Sequence, residues 1–133
     1  AKKTLLAADE IVITASPDLV GLRNAKNLLA ILQKARPNDA PPRLVLNQVG
    51  VPKRSEIKPA QFAKALDMEP TACIAFEPTT FSAAANQGRM IVDVAARSPA
   101  ARHFAHIAEK VSGRTTDRDR RAGGFSLKRL WGR

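Results

Sequence analysis

Three short apolar runs, each followed by a stretch with helical periodicity, restrict the fold of this sequence more than any other feature. The runs span residues 10–14, 43–49 and 71–76 and are rich in Val, Ile, Leu and Ala. Runs of this kind are typical of strands that are buried on both faces of a parallel sheet. Strands that alternate with helices therefore predict an α/β fold, a mostly parallel sheet with helices on both of its faces.

Capping signals mark where several of the helices begin or end. Residues 16–18 (Ser-Pro-Asp) and 98–99 (Ser-Pro) each place a serine before a proline that suits the first helical turn, and we predict Ser16 as the first N-cap. Gly88 predicts the end of the helix after the third strand, because glycine tolerates a positive φ. The predicted inner face of the last helix consists of Phe104, Ile107, Ala108 and Val111.

Asn47 lies near the end of the strand at residues 43–49, and the chain turns at Gly50. In open parallel sheets, ligands bind just outside the carboxyl ends of the strands. An asparagine there offers both an amide donor and a carbonyl acceptor to the edge of a heterocyclic base. The alternative is that Asn47 only satisfies the backbone of a turn, as many asparagines at strand ends do.

The net charge of +10 is distributed unevenly, and half of it lies near the C-terminus. Residues 113–133 hold seven basic and two acidic side chains, a net charge of +5. We predict a folded region at 1–113 and a basic linker with an amphipathic C-terminal helix at 114–133. There is no apolar run of membrane-spanning length and no signal peptide, which favours a cytoplasmic protein.

The last residues have the pattern of a helix that lies on a membrane surface. On a helix, Leu127, Leu130 and Trp131 share one face, and basic residues flank it. Such a segment suits the interface of an anionic membrane. A partner's groove and a solvated terminus are the alternatives. The predicted membrane-binding residues are Phe125, Leu127, Lys128, Arg129, Leu130 and Trp131.

Motifs of catalysis and metal binding are absent from these 133 residues. The sequence contains no GxxxxGK[ST] phosphate loop, no GxGxxG, no HExxH and no cysteine pair. His103 and His106 have a spacing that suits a metal, but no third ligand accompanies them. We therefore predict no catalytic residue and no metal ligand here. Cys73, the one cysteine, is interpreted as a small buried hydrophobe.

Several segments together resemble the C-terminal half of the MinD/ParA group of deviant-P-loop ATPases, and within it the pilus-assembly proteins called CpaE or TadZ. The resemblance covers about residues 5–113 and rests on the order and spacing of its segments. These are residues 6–14 (LAADEIVIT), 17–25 (PDLVGLRNA), 45–50 (VLNQVG), 76–78 (FEP) and 81–91 (FSAAANQGRMI). The C-terminal segment also resembles the membrane-targeting helix that ends MinD proteins.

The resemblance implies a P-loop NTPase fold with an ATP or ADP site and a dimer that sandwiches the nucleotide. It places the adenine contact of the family at Asn47, and a loop that lines the base at Ala75, Phe76 and Glu77. Relatives usually carry a proline and an aspartate in that loop, where this chain has Ala75 and Glu77. The phosphate loop and the Mg²⁺-binding aspartates of the family lie in an N-terminal half that these residues do not contain. We therefore expect a fragment that does not hydrolyse ATP alone.

The function predicted from this resemblance is to localise or assemble a type IV (Flp/Tad) pilus or a secretion machine, at the inner membrane or the cell pole. Nucleotide would control homodimerisation, and dimerisation would control membrane association. The first alternative is a ParA-like partition ATPase that binds DNA without sequence preference through Lys53, Arg54, Arg89 and Arg114. The second is a non-catalytic scaffold with a degenerate nucleotide site.

Overall fold

A computed structural model describes residues 2–113, which form a three-stranded parallel sheet with helices on both faces. The strand order is β1-β2-β3, and each strand is joined to the next through a helix. The predicted α/β fold with a parallel sheet is thereby confirmed. In chain order the elements are α1 (Lys2–Ala7), β1 (Val12–Ala15), α2 (Leu19–Ala35), β2 (Arg43–Val49), α3 (Pro59–Leu66), β3 (Pro70–Ala75), α4 (Pro78–Gln87), α5 (Ile91–Val94) and α6 (Pro99–Ser112).

Each face of the central strand β2 is covered by a different group of helices. Leu44 and Leu46 are almost fully buried on one face, in a cluster with residues of α2 and with Phe62 of α3. Val45 points to the other face because side chains alternate along a strand. Full burial of a side chain such as Phe62 contributes about 1.5–3 kcal/mol to stability. The buried residues outside the first cluster include Ala72, Ile74, Ala84, Ala100 and Ala101.

The prediction that the first strand is buried on both faces is wrong. Along β1, Ile13 and Ala15 are buried, whereas Val12 and Thr14 are exposed. The strand lies at the edge of the described sheet and packs on α2 through one face only. The apolar sequence of β1 therefore does not show that both of its faces are buried.

Helix α2 is capped by Asp18, not by Ser16 as the sequence predicted. The Asp18 carboxylate accepts a hydrogen bond of 2.7 Å from the Gly21 backbone N–H. Pro17 precedes the cap and is fully buried, and its carbonyl accepts a hydrogen bond from the Ile57 backbone N–H. The helix therefore starts later than the Ser-Pro signal indicated.

We expect Asp18→Ala to lower the free energy of unfolding by about 1 kcal/mol, the usual cost of losing a side-chain N-cap. Ser16→Ala is the matched control, because the Ser16 side chain does not cap the helix. Urea denaturation followed by circular dichroism measures both. An equal loss in the two variants would contradict this assignment of the cap.

The predicted inner face of the last helix is also wrong in part. Helix α6 has the predicted Ser98 cap, whose hydroxyl accepts a hydrogen bond of 3.1 Å from the Ala101 N–H. The helix packs against β3, and its buried residues are the small Ala100 and Ala101. Phe104 and Val111, predicted to face inward, are 43% and 39% exposed.

Candidate functional site

A cavity of about 160 Å³ opens at the carboxyl ends of β2 and β3, where the third strand passes into α4. The structure brings together there Asn47 and the three residues that the resemblance pointed to, Ala75, Phe76 and Glu77. We call this cavity the strand-end pocket. Its full lining is Asn47, Gln48, Ala75, Phe76, Glu77, Pro78 and Phe81.

The parallel pairing of β2 with β3 is what places these residues side by side. Leu46 lies opposite Cys73, and Val49 lies opposite Ala75. One further ladder bond, from the Phe76 N–H to the Val49 carbonyl at 2.8 Å, holds the two strand ends together. Strand ends that meet at one edge of a parallel sheet are where α/β proteins bind ligands.

A bulge in β2 directly follows Asn47. Between the paired positions Leu46 and Val49 the strand has one residue more than β3 has between Cys73 and Ala75. Gln48 takes up the extra length with a positive φ of 55°. Because of this insertion, Val49 packs against the same core cluster as Leu46. Asn47 precedes the bulge and lines the pocket, on the opposite face from Leu46, by ordinary strand alternation.

The side chain of Asn47 uses part of its hydrogen-bonding capacity in its own turn. Its Oδ1 accepts a hydrogen bond of 2.9 Å from the Gln48 backbone N–H. A carbonyl oxygen has a second lone pair, and the amide nitrogen has two donors. The turn role that we considered for Asn47 is thus observed, and it leaves an acceptor and donors for a ligand.

The rest of the pocket combines a carboxylate with aromatic walls. Glu77 precedes α4 and does not cap the helix with its side chain. Phe76 is 37% exposed, and Phe81 stands one turn into α4. Phe81 is braced by Phe104 of α6 in an edge-to-face pair with ring centroids 6.3 Å apart.

This arrangement suits a flat base that carries an exocyclic amino group. An asparagine amide pairs with the N6 amino group and N7 of adenine, and a carboxylate accepts from an amino group. Aromatic side chains stack on bases at about 1–3 kcal/mol per base. Whole-ligand sites usually enclose about 300–1,000 Å³, so a cavity of this size accommodates a base and not a complete nucleotide.

A larger groove of about 530 Å³ lies at the opposite, amino-terminal edge of the sheet. It is bordered by Asp9, Glu10, Asp39 and Asp67, with Leu29 and Leu66 among its apolar residues. Glu10 is paired with Arg43, and Asp39 is paired with Arg36. We favour the smaller cavity as the functional site because it lies at the carboxyl edge of the sheet and combines amide, carboxylate and aromatic side chains.

Sequence reasoning missed three features of the pocket. Gln48 and Pro78 line it, although we assigned them no role. Phe81 is a wall of the pocket, and its position three residues after Pro78 at a helix start was the available signal. The predicted residues Phe125, Leu127, Lys128, Arg129, Leu130 and Trp131 lie outside the described residues, as does Arg114.

Comparison with solved structures shows which fold this is. The described chain superposes on the cell division ATPase MinD of Pyrococcus furiosus with a TM-score of 0.68 and 23% identity, over 81% of this chain and 44% of that one. The fold is of the MinD/ParA type. The MinD/ParA-type fold is found again in a ParA family ATPase from Chlorobium tepidum TLS, with a TM-score of 0.65, 20% identity, and 77% and 42% of the two chains covered.

A third structure with the MinD/ParA-type fold is the MinC:MinD cell division complex of Aquifex aeolicus. The match has a TM-score of 0.66 and 18% identity, over 82% of this chain and 45% of that one. The present chain thus spans less than half the length of the structures it resembles. No protein-family profile matches the sequence, and no curated protein sequence does.

Proposed function

We propose that this chain supplies the adenine-binding part of an ATP or ADP site in a MinD/ParA-type switch protein. The observation that carries the proposal is the strand-end pocket, where Asn47, Phe76 and Glu77 meet at the carboxyl edge of the sheet. The sequence has no phosphate loop, so phosphate and Mg²⁺ binding would depend on residues outside these 133. The chain alone would recognise a base and would not hydrolyse ATP.

We further propose that the protein is CpaE/TadZ-like and positions a pilus or secretion machine. Support comes from the residues that carry this resemblance and from the basic, aromatic segment at 125–131. Nucleotide would favour a homodimer, and two copies of the segment would hold the dimer on an anionic membrane. Within residues 2–113, no helix has both the length and the apolar character of a membrane span.

The membrane part of this proposal predicts that the chain co-sediments with vesicles containing anionic lipid. Each basic residue near an anionic surface contributes roughly 1 kcal/mol, so binding should be weak and should fall as salt is added. A chain without residues 123–133 should stay in the supernatant, and neutral vesicles are the control. Equal binding of the two chains to anionic vesicles would contradict the proposal.

A DNA-binding partition ATPase is the competing function, and the contacts of two candidate residues weaken it. The Arg54 side chain is 22% exposed and already paired with Glu56, and Arg89 donates to the Asp93 carbonyl. Salt-sensitive retention of DNA by residues 1–113 would nevertheless favour this function. If a longer form of the protein with its phosphate-binding region bound no ATP, the scaffold alternative would be favoured.

A further inference from the structure

We propose that Arg54 and Glu56 form a clamp that positions Asn47 in the strand-end pocket. The clamp lies in the loop that follows β2, and neither residue lines the pocket. That the clamp serves base binding rests on the proposed function of the pocket. The geometry of the clamp does not depend on that function. Arg54 and Glu56 are positioning residues, because they act on the base only through the bulge.

Two backbone groups around the bulge are held by these two side chains. The Arg54 Nη2 donates to the carbonyl of Gln48, the residue that makes the bulge. A Glu56 carboxylate oxygen accepts a hydrogen bond of 2.8 Å from the Gly50 N–H. The same oxygen pairs with Arg54 Nη2 at 3.1 Å, so the two side chains form one connected unit.

The bulge requires such support because its backbone is in an unfavourable region. Gln48 has a Cβ and a φ of 55°, a conformation that residues other than glycine rarely adopt without local restraint. Gly50 follows with a φ of 86°. Without the clamp, Gln48 would relax towards an extended backbone. Its N–H, which donates to Asn47 Oδ1 at 2.9 Å, would then turn away and no longer hold the Asn47 side chain in place.

The contacts also separate this role from a role in binding phosphate. An arginine that contacts phosphate has to present its guanidinium to solvent or ligand, whereas Arg54 is directed at the backbone of its own loop. Lys53, the neighbouring cation, is exposed. Substitutions of Arg54 and of Lys53 therefore remove the same charge from the same loop, and the two variants form a matched pair.

The test uses the 133-residue chain, labelled with ¹⁵N, and adenosine as the probe. We expect Arg54→Ala to change the three-bond HN–Hα coupling of Gln48 towards that of an extended residue and to weaken adenosine binding about tenfold, as loss of a charge-assisted contact typically does. Arg54→Lys should restore part of the binding, because one ammonium group has donors for both contacts. Lys53→Gln should leave the coupling and the affinity unchanged.

The possible outcomes test the clamp and the adenosine-binding role of the pocket separately. Unchanged coupling and unchanged affinity in a folded Arg54→Ala chain would overturn the clamp, and thermal denaturation shows whether that chain is folded. Equal losses in Lys53→Gln would also overturn it, because the charge alone would then account for the effect. If the wild-type chain bound no adenosine, the proposed function would fail, and the Gln48 coupling would still decide whether the clamp exists.

Discussion

Asn47→Asp should weaken adenosine binding by about 5- to 150-fold, which corresponds to the roughly 1–3 kcal/mol of one well-placed amide–base pair. The substitution keeps an oxygen that accepts the Gln48 N–H, as Asn47 Oδ1 does at 2.9 Å. It removes the amide donor and places a second carboxylate in a pocket that already contains Glu77. Titration of the ¹⁵N-labelled chain with adenosine measures the effect.

Two controls make the Asn47 result specific. Asn27→Asp introduces the same charge on the exposed surface of α2 and should leave adenosine binding unchanged. Asn47→Ala removes the turn contact together with the donor, so its affinity should fall at least as far as that of Asn47→Asp. Retention of wild-type affinity in Asn47→Asp would exclude an amide contact to the base.

Gly21→Ala should destabilise the fold by about 1–3 kcal/mol, the usual range for an overpacked site. A Cβ at Gly21 would lie 2.1 Å from the backbone oxygen of Ser16, an atom that cannot move without shifting the loop after β1. The Gly21 N–H also donates to Asp18, so a shift would disturb the N-cap. Helix propensity alone predicts the opposite, because alanine is about 1 kcal/mol better than glycine inside a helix.

Asn27→Ala is the matched control for Gly21→Ala, since it adds helix propensity at an exposed position of the same helix. We expect it to raise the unfolding free energy slightly, by no more than about 0.7 kcal/mol. Urea denaturation of both variants separates propensity from close packing. A gain in stability for Gly21→Ala would show that the approach of α2 to Ser16 is not as tight as described.

The elements that could be predicted from the sequence are those that local chemistry dictates. The bounds of β2 follow from its apolar run, and the observed strand agrees with the predicted 43–49. Gly88 ends α4 in the left-handed conformation, with a φ of 60°, and Ser98 caps α6. Each of these depends on the residue itself and its immediate neighbours.

The features that could not be predicted depend on which parts of the fold lie next to each other. Val12 and Phe104 are apolar but exposed, because burial depends on what covers a face and not on its composition. The bulge at Gln48 is invisible in a regular apolar run, since Arg54 and Glu56 sustain it from several residues away. Grouping Asn47 with Phe76 and Glu77 required the resemblance, because only the pairing of β2 with β3 brings them together.

The most direct measurement of the central claim is an adenosine titration of the wild-type ¹⁵N-labelled chain, with inosine as the matched probe. Inosine carries an oxygen where adenine carries its amino group, so Glu77 and the Asn47 carbonyl lose their donor. We predict adenosine-induced shifts at residues 47–50 and 75–81, including the Asn47 side-chain amide, and much weaker shifts with inosine. Equal responses to the two nucleosides, or shifts confined to the groove at Asp9, Asp39 and Asp67, would contradict an adenine site at the carboxyl ends of β2 and β3.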